Sequence, residues 1–418
     1  MSEVLSDDAL LDIVQRRTLT YFWDFGHPVS GMARERSNPV SGYDYRDTVT
    51  SGGTGFGIMA MLAGAARGFI PRDDVRARIA QIVAFLEQAE RYHGVFPHFL
   101  HGGTGKTIPF SEKDDGGDLV ETTFLMVGLL CARQFFAGAT PEEASLRGSI
   151  DRLWHAVEWD WHTQGRQVLY WHWSPHHGFA MNHAITGWNE CLITYVLAAA
   201  SPTHAIASDV YHRGWTGSPV FRNGQRYHDI ELPLGPPYGG PLFFAHYSFL
   251  GLDPRGLRDR YADYFAQNRA HVLINRAHCI ANPNGFAGYG ADCWGLTACD
   301  GDAGYNAFSP TNDHGVIAPT AALASIPYTP GESMAALRCF YEALGGDIWR
   351  EHGFADSFNR TRNWVAPGHL AIDQGPIVVM IENHRSGLLW DLFMSCDEVR
   401  SGLARLDFAT SRPASPAT

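Results

Sequence analysis

Residues 94–137, GVFPHFLHGGTGKTIPFSEKDDGGDLVETTFLMVGLLCARQFFA, hold the pattern on which the fold turns. The first half, 94–117, is a long segment of Gly, Pro, aromatic and polar residues. The second, 119–137, is apolar at helical spacing. The same alternation runs outward in both directions. Leu10, Leu11, Ile13, Val14 and Leu19 open an amphipathic helix that reaches about Phe25, and further helical stretches lie near 54–68, 74–92, 144–159, 188–200, 257–273, 332–343 and 375–396. Between them stand long segments at 26–52, 170–186, 213–240 and 281–316. Loops of that length rarely persist without a function. β-branched runs are few, so the pattern predicts helix pairs joined by decorated loops. An α/α toroid, in which inner and outer helices alternate, gathers such loops around a central cleft. No repeat is sharp enough for a solenoid, and no charged or Ser/Pro-rich linker divides the chain. The expectation is one all-α domain over residues 1–407 with a small, polar, disordered tail at 408–418.

Composition narrows the function. A net charge of −12 leaves no basic stripe for phosphates, which excludes a nucleic-acid partner. No run of about 18 apolar residues exists, so no membrane span is expected. The start, MSEVLSDDALLDIVQRRTL, is acidic and amphipathic and carries no export signal. As it stands it predicts a cytoplasmic protein, or a periplasmic one if the start was trimmed. The seven cysteines (131, 191, 279, 293, 299, 339, 396) form no C-x-x-C pair, and Cys293 with Cys299 is the one local disulfide considered. The usage fits a reducing compartment. Twelve Trp and sixteen Tyr, many beside Gly, Asn, Asp and His, fit a cleft in which flat rings stack on sugars.

HGGTGKTIPF fails as a P-loop, because Leu100 stands where the first Gly is needed. Asp114, Asp115, Asp118 and Glu121 crowd ahead of an apolar helix. Asp118 and Glu121 have the spacing of an N-cap with a reciprocating Glu, but capping does not need the other two. Crowding of this kind raises carboxyl pKa values. In WHWSPHHGFAMNHAITGWNECLITYVLAAA (171–200), Glu190 opens an apolar helix beside Trp188. Its two readings are complementing the helix dipole and staying protonated as a general acid. His172, His176, His177 and His183 match no zinc spacing, so no metal site is expected. Asp313 and His314 could bond sugar hydroxyls, or Asp313 could cap a helix. Asp373, ahead of Gly375-Pro376, reads as an ordinary helix start. Glycoside hydrolysis needs one protonated carboxyl and one carboxylate, which residues at separate helix starts could supply.

KTIPFSEKDDGGDLVET, WHWSP with GWNECL, PLFFAHYSFLGLDPR, SPTNDHGVIAPTAAL and LAIDQGPIVVMIEN together resemble the bacterial endo-β-1,2-glucanases of glycoside hydrolase family 144, from about Tyr21 to Val399. The resemblance implies an (α/α)6 barrel, inverting hydrolysis of linear β-1,2-glucan or sophoro-oligosaccharides, no metal or organic cofactor and no obligate protein partner. It places the implicated acids at Asp114, Asp118, Glu121, Glu190 and Asp373, with Glu190 as acid and Asp373 as base. Arg36, Trp188, Tyr247, Trp294 and Asp313 are the candidate subsite contacts. Many relatives carry export signals and this chain shows none, which keeps open a sophorose-releasing exo-hydrolase or a transglycosylase. A sugar-binding protein without catalysis is the remaining alternative.

Overall fold

The computed structural model describes residues 5–410. Its helices are α1 (Asp7–Trp23), α2 (Ser51–Ala66), α3 (Arg72–Gln88), α4 (Leu119–Phe135), α5 (Pro141–His155), α6 (Leu192–Ala200), α7 (Tyr264–Ala281), α8 (Pro319–Leu323), α9 (Pro330–Arg338), α10 (Gly345–Ile348), α11 (Ala371–Arg385), α12 (Leu388–Met394) and α13 (Asp397–Arg405). Local chemistry sets their starts. Ser6 accepts from the amide of Ala9 to open α1, Thr140 from Glu143 to open α5, and Asp263 from Ala266 to open α7.

Burial separates two rings. α2, α4, α6, α8 and α11 are buried almost all round, whereas α1, α3, α5, α7 and α9 bury one face. The short turns 210–215 and 242–250 complete the alternation, giving six outer–inner pairs: the (α/α)6 barrel of the sequence expectation. One continuous apolar core runs from Leu10 to Phe408. Two glycines let the inner ring close. A Cβ on Gly55 would lie 2.0 Å from the Phe124 carbonyl oxygen, and one on Gly128 would lie 2.3 Å from that of Gly55, so α2 and α4 touch backbone to backbone. Polar links tie the rings together: Gln15 of α1 donates to Glu382 of α11 at 3.0 Å, and Arg67 donates to the same carboxylate at 2.7 Å.

The strands are short and serve the loops. Antiparallel strands 48–50, 99–101 and 107–108 pair Thr48 with His101 and Phe99 with Ile108. Gly117–Asp118 pairs with His172–Trp173, which joins the loop ahead of α4 to the loop ahead of α6.

Several boundaries differ from the expectation. The stretch 188–200 becomes helical only at Leu192, leaving Glu190 in the preceding turn. The stretch 375–396 starts earlier, at Ala371, and breaks at Gly387, whose φ of 75° ends α11. Asp373 therefore lies inside the first turn, not ahead of it. The predicted tail is corrected at its start. Phe408 packs on Tyr211 and Tyr264, and Ala409 exchanges backbone hydrogen bonds with Arg258 at 2.7 and 2.9 Å. Residues 411–418 lie outside the described residues. All seven cysteines are free thiols, so Cys293 and Cys299 are not bridged. No helix among the described residues is long and apolar enough to cross a membrane.

Candidate active site

The starts of α2, α4, α6 and α11 meet at one end of the barrel. Asp118 caps α4 with one carboxylate oxygen, which accepts from the amides of Val120 and Glu121 at 3.0 and 2.9 Å and from the Trp171 indole at 2.9 Å. Its other oxygen faces His98 Nδ1 at 3.1 Å. Burial alone would raise this carboxyl, but the hydrogen bond from His98, the nearby imidazoles and the Glu121 amide outweigh it and hold Asp118 ionised. The expected reciprocal capping by Glu121 does not form. The Asp118 amide is already given to Phe96 O at 2.9 Å, and Glu121 turns to the start of α2, accepting from the Gly52 amide at 2.9 Å and the Thr50 hydroxyl at 3.4 Å.

His98 stands among these acids, 3.9 Å from Glu121 Oε1. Burial disfavours its cation, yet Glu121, Asp118 and Asp114 push it up to about 9, so it is an imidazolium at neutral pH. Asp114 faces His172 Nε2 at 3.3 Å and is pushed up to about 7 by burial and by Asp118. Neither histidine was singled out from sequence for this cluster, in which His98, Asp114 and Asp118 also have the spacing to hold a cation.

Glu190 differs from Asp118 in lacking partners. Among the described residues no side chain bonds to its carboxyl, and burial raises it to about 7 against the opposing bond from its own amide, with Glu121 and Asp118 adding to the rise. Ser248 donates to its backbone carbonyl and fixes the turn. Tyr247 feels both Asp373 and Glu190. Its phenol is raised first by burial, then by Asp373, Tyr305, Glu190 and Glu121.

Asp373 belongs to a second network. Arg36 donates to both oxygens of Glu35, at 2.7 and 3.1 Å, and to both of Asp300, at 3.2 and 3.1 Å. Asp300 gives its amide to Asp356 at 2.7 Å, and Asp356 is the neighbouring acid that acts most strongly on Asp373. Burial, then Asp356, pushes Asp373 well above the usual carboxyl range. Glu35, Asp300 and Asp356 escaped sequence reading because a lone acid in a Gly-rich loop looks like any solvated acid.

Between the two networks lies a cavity of about 290 Å³, walled by Glu35, Arg36, Tyr43, Thr50, His98 and Phe99. Phe110 and Tyr305 are more than half exposed beside it, and Phe110 stacks on His98 at 4.4 Å. Such rings offer flat apolar faces to a sugar.

The structure thus brings together Asp114, Asp118, Glu121, Glu190, Asp373, Tyr247 and Arg36. Three other expected contacts are corrected. Trp188 is 3% exposed and packs among Trp215, Phe221, Phe249 and Tyr264 in the core. Trp294 is fully buried. Asp313 is saturated by His278 at 2.8 Å, Tyr289 at 2.7 Å and the Gly315 amide at 3.1 Å. Large rings and acids beside Gly look alike in sequence whether they line a cleft or fill a core.

A family model described as "Putative glucoamylase" matches residues 182–397, just over half the chain. The chain belongs to this glucoamylase-like family. Within it, the endo-β-1,2-glucanase of Chitinophaga pinensis, solved with sophorotriose and glucose, is 53% identical over 97% of this chain and 99% of that one, with a TM-score of 0.95. The exo β-1,2-glucooligosaccharide sophorohydrolase (non-reducing end) of Parabacteroides distasonis is 45% identical over 96% of this chain. The chain spans 58% of the length of that relative. The endo-β-1,2-glucanase of Talaromyces funiculosus, at 13% identity, 96% and 91% coverage and a TM-score of 0.70, shares the fold alone. Both the Parabacteroides and the Chitinophaga relatives carry the names of glucan hydrolases.

Proposed function

We propose that the protein hydrolyses β-1,2-glucosidic bonds of linear β-1,2-glucan or sophoro-oligosaccharides, endo-acting and with inversion. The observation that carries this reading is Glu190: a buried carboxyl at the barrel end, without a side-chain partner and raised to about 7, is equipped to give a proton to a leaving glycosidic oxygen. Asp373 is the base that takes a proton from the attacking water. Asp118, held ionised at the cap of α4, Glu121 at the start of α2 and Asp114 are supporting acids. Arg36 and the exposed rings of Phe110 and Tyr305 line the cavity and supply sugar contacts. The linkage comes from the named activities of the Chitinophaga and Parabacteroides relatives.

The Parabacteroides name favours a second reading, exo release of sophorose. Early products resolved by chain length separate the two, a ladder of oligosaccharides supporting endo action and sophorose alone supporting exo. Cleavage of β-1,3- or β-1,4-glucan in place of β-1,2-glucan would overturn the linkage.

A further inference from the structure

Of the twelve Trp in the chain, Trp161 is the most exposed, at 42%. It opens a single helical turn, Trp161–Thr163, on the chain that leaves α5, and Asp160 caps that turn by accepting from the Trp161 amide at 3.0 Å. The indole is held in place. It stacks on the His93 imidazole, 4.1 Å between centroids and 15° from parallel, and Glu158 braces that imidazole at 3.0 Å. The turn ends on two left-handed residues, Gln164 at φ 51° and Gly165 at φ 70°. Gly adopts that conformation freely and Gln rarely does, so the backbone does not explain a side chain at 164. The Gln164 amide nitrogen has no acceptor among the described residues, so bonding inside the protein does not explain it either. Glu158, Asp160, Trp161, Gln164, Gly165 and His204 wall an open hollow of about 350 Å³ that shares no wall with the cavity of the cleft. His204 faces Asp160 at 3.1 Å. The hollow stands close to the catalytic end of the barrel. His93 also meets Trp173 edge-on at 5.1 Å, and Trp173 belongs to the short strand that pairs with Gly117–Asp118.

A fixed, exposed indole beside two carboxylates and a spare amide suits a neutral pyranose. The apolar face of the sugar lies on the ring, and its hydroxyls donate to the carboxylates and accept from the amide. Two acids and no Lys or Arg in the wall turn away an anion. We propose that this hollow is a second glucan-binding site, which holds one glucose unit of a β-1,2-glucan chain on Trp161 while the cleft engages another stretch of the same chain. The inference rests on β-1,2-glucan being the substrate. A short oligosaccharide that fills the cleft has no units left to reach the hollow, so the site serves the polymer. Two contacts joined by one chain reinforce each other through effective concentration, provided that the chain spans them. No bond is made or broken at Trp161, whose part is to bind.

The test is retardation of the inactive Glu190→Gln protein in gels that contain linear β-1,2-glucan, alone and with Trp161→Ala, Trp161→Tyr or Gln164→Gly added. Beside it, kcat/KM is measured for the three substitutions in the active protein, on the polymer and on sophorotetraose. Trp161→Ala should weaken polymer binding by about threefold or more and lower kcat/KM on the polymer more than on sophorotetraose. Trp161→Tyr keeps a flat ring and should recover most of both. Gln164→Gly suits the left-handed backbone, so its melting temperature should hold while retardation weakens. Equal retardation with and without Trp161→Ala, or an equal fall on both substrates, would overturn the second site. A wild type that leaves β-1,2-glucan uncut would overturn the substrate reading instead. Retardation by β-1,3- or β-1,4-glucan that depends on Trp161 would then uphold the hollow as a glucan site, and its absence on all three glucans would overturn it.

Discussion

Glu190 and Asp118 are both buried carboxyls beside the start of an inner helix, and their surroundings send them opposite ways. Asp118 collects two amides, an indole and an imidazole and stays ionised, whereas Glu190 meets no side-chain partner and retains its proton. Glu190→Gln should therefore lower kcat by about 10²-fold or more while far-UV circular dichroism is unchanged. The same substitution carries a stability signature. A carboxyl raised to about 7 in the fold stabilises below its unfolded pKa and loses that contribution as pH rises through 7. The melting temperature of Glu190→Gln relative to wild type should climb between pH 5 and pH 8; a difference independent of pH would contradict the protonated state. Arg36 makes the converse case. Arg36→Ala leaves Glu35 and Asp300 buried without their cation, and urea unfolding should show a loss of about 3–5 kcal/mol. The sequence showed which residues were acids, and the motif blocks pointed to five of them, but whether each meets a donor depends on residues such as His98 and Trp171 that lie 20 and 53 positions from Asp118.

The long helices were legible because their burial follows a 3.6-residue period over four or more turns, as in α1, α3 and α5. The fourth and fifth inner elements were not. The turns at 242–250 and the five residues of α8 are too short to display a period. Glu190 was expected on its helix but lies in the turn before it, where Ser248 anchors the carbonyl. The close contact of α2 and α4 was also hidden, since glycine within a helix reads only as a cost of about 1 kcal/mol. Gly55→Ala should show the opposite of the usual helical gain. With a Cβ 2.0 Å from a carbonyl oxygen the two helices must part, and calorimetry should record a melting temperature lower by several degrees. An unchanged or higher value would mean that the pair is looser than described.

At the scale of the molecule, alternating helices form a scaffold whose inner ring directs four helix starts toward one cleft. Acids gather there because amides at a helix start favour carboxylates, and Asp118, Glu121 and Asp373 each occupy such a place. The barrel was legible from the alternation of helix and long loop, and its six-fold count from the family resemblance. Which wall each aromatic joins was not, because Trp188 and Trp294 entered the core while Phe110 and Tyr305 stayed at the mouth. The account's central claim is that this cleft cuts β-1,2-linked glucan with Glu190 as its acid. Its most direct test is to incubate wild-type protein and Glu190→Gln with linear β-1,2-glucan and resolve the early products by chain length. The account predicts a ladder of short sophoro-oligosaccharides from the wild type and almost none from the variant. Equal product from both, or none from the wild type on polymer and short chains alike, would contradict it.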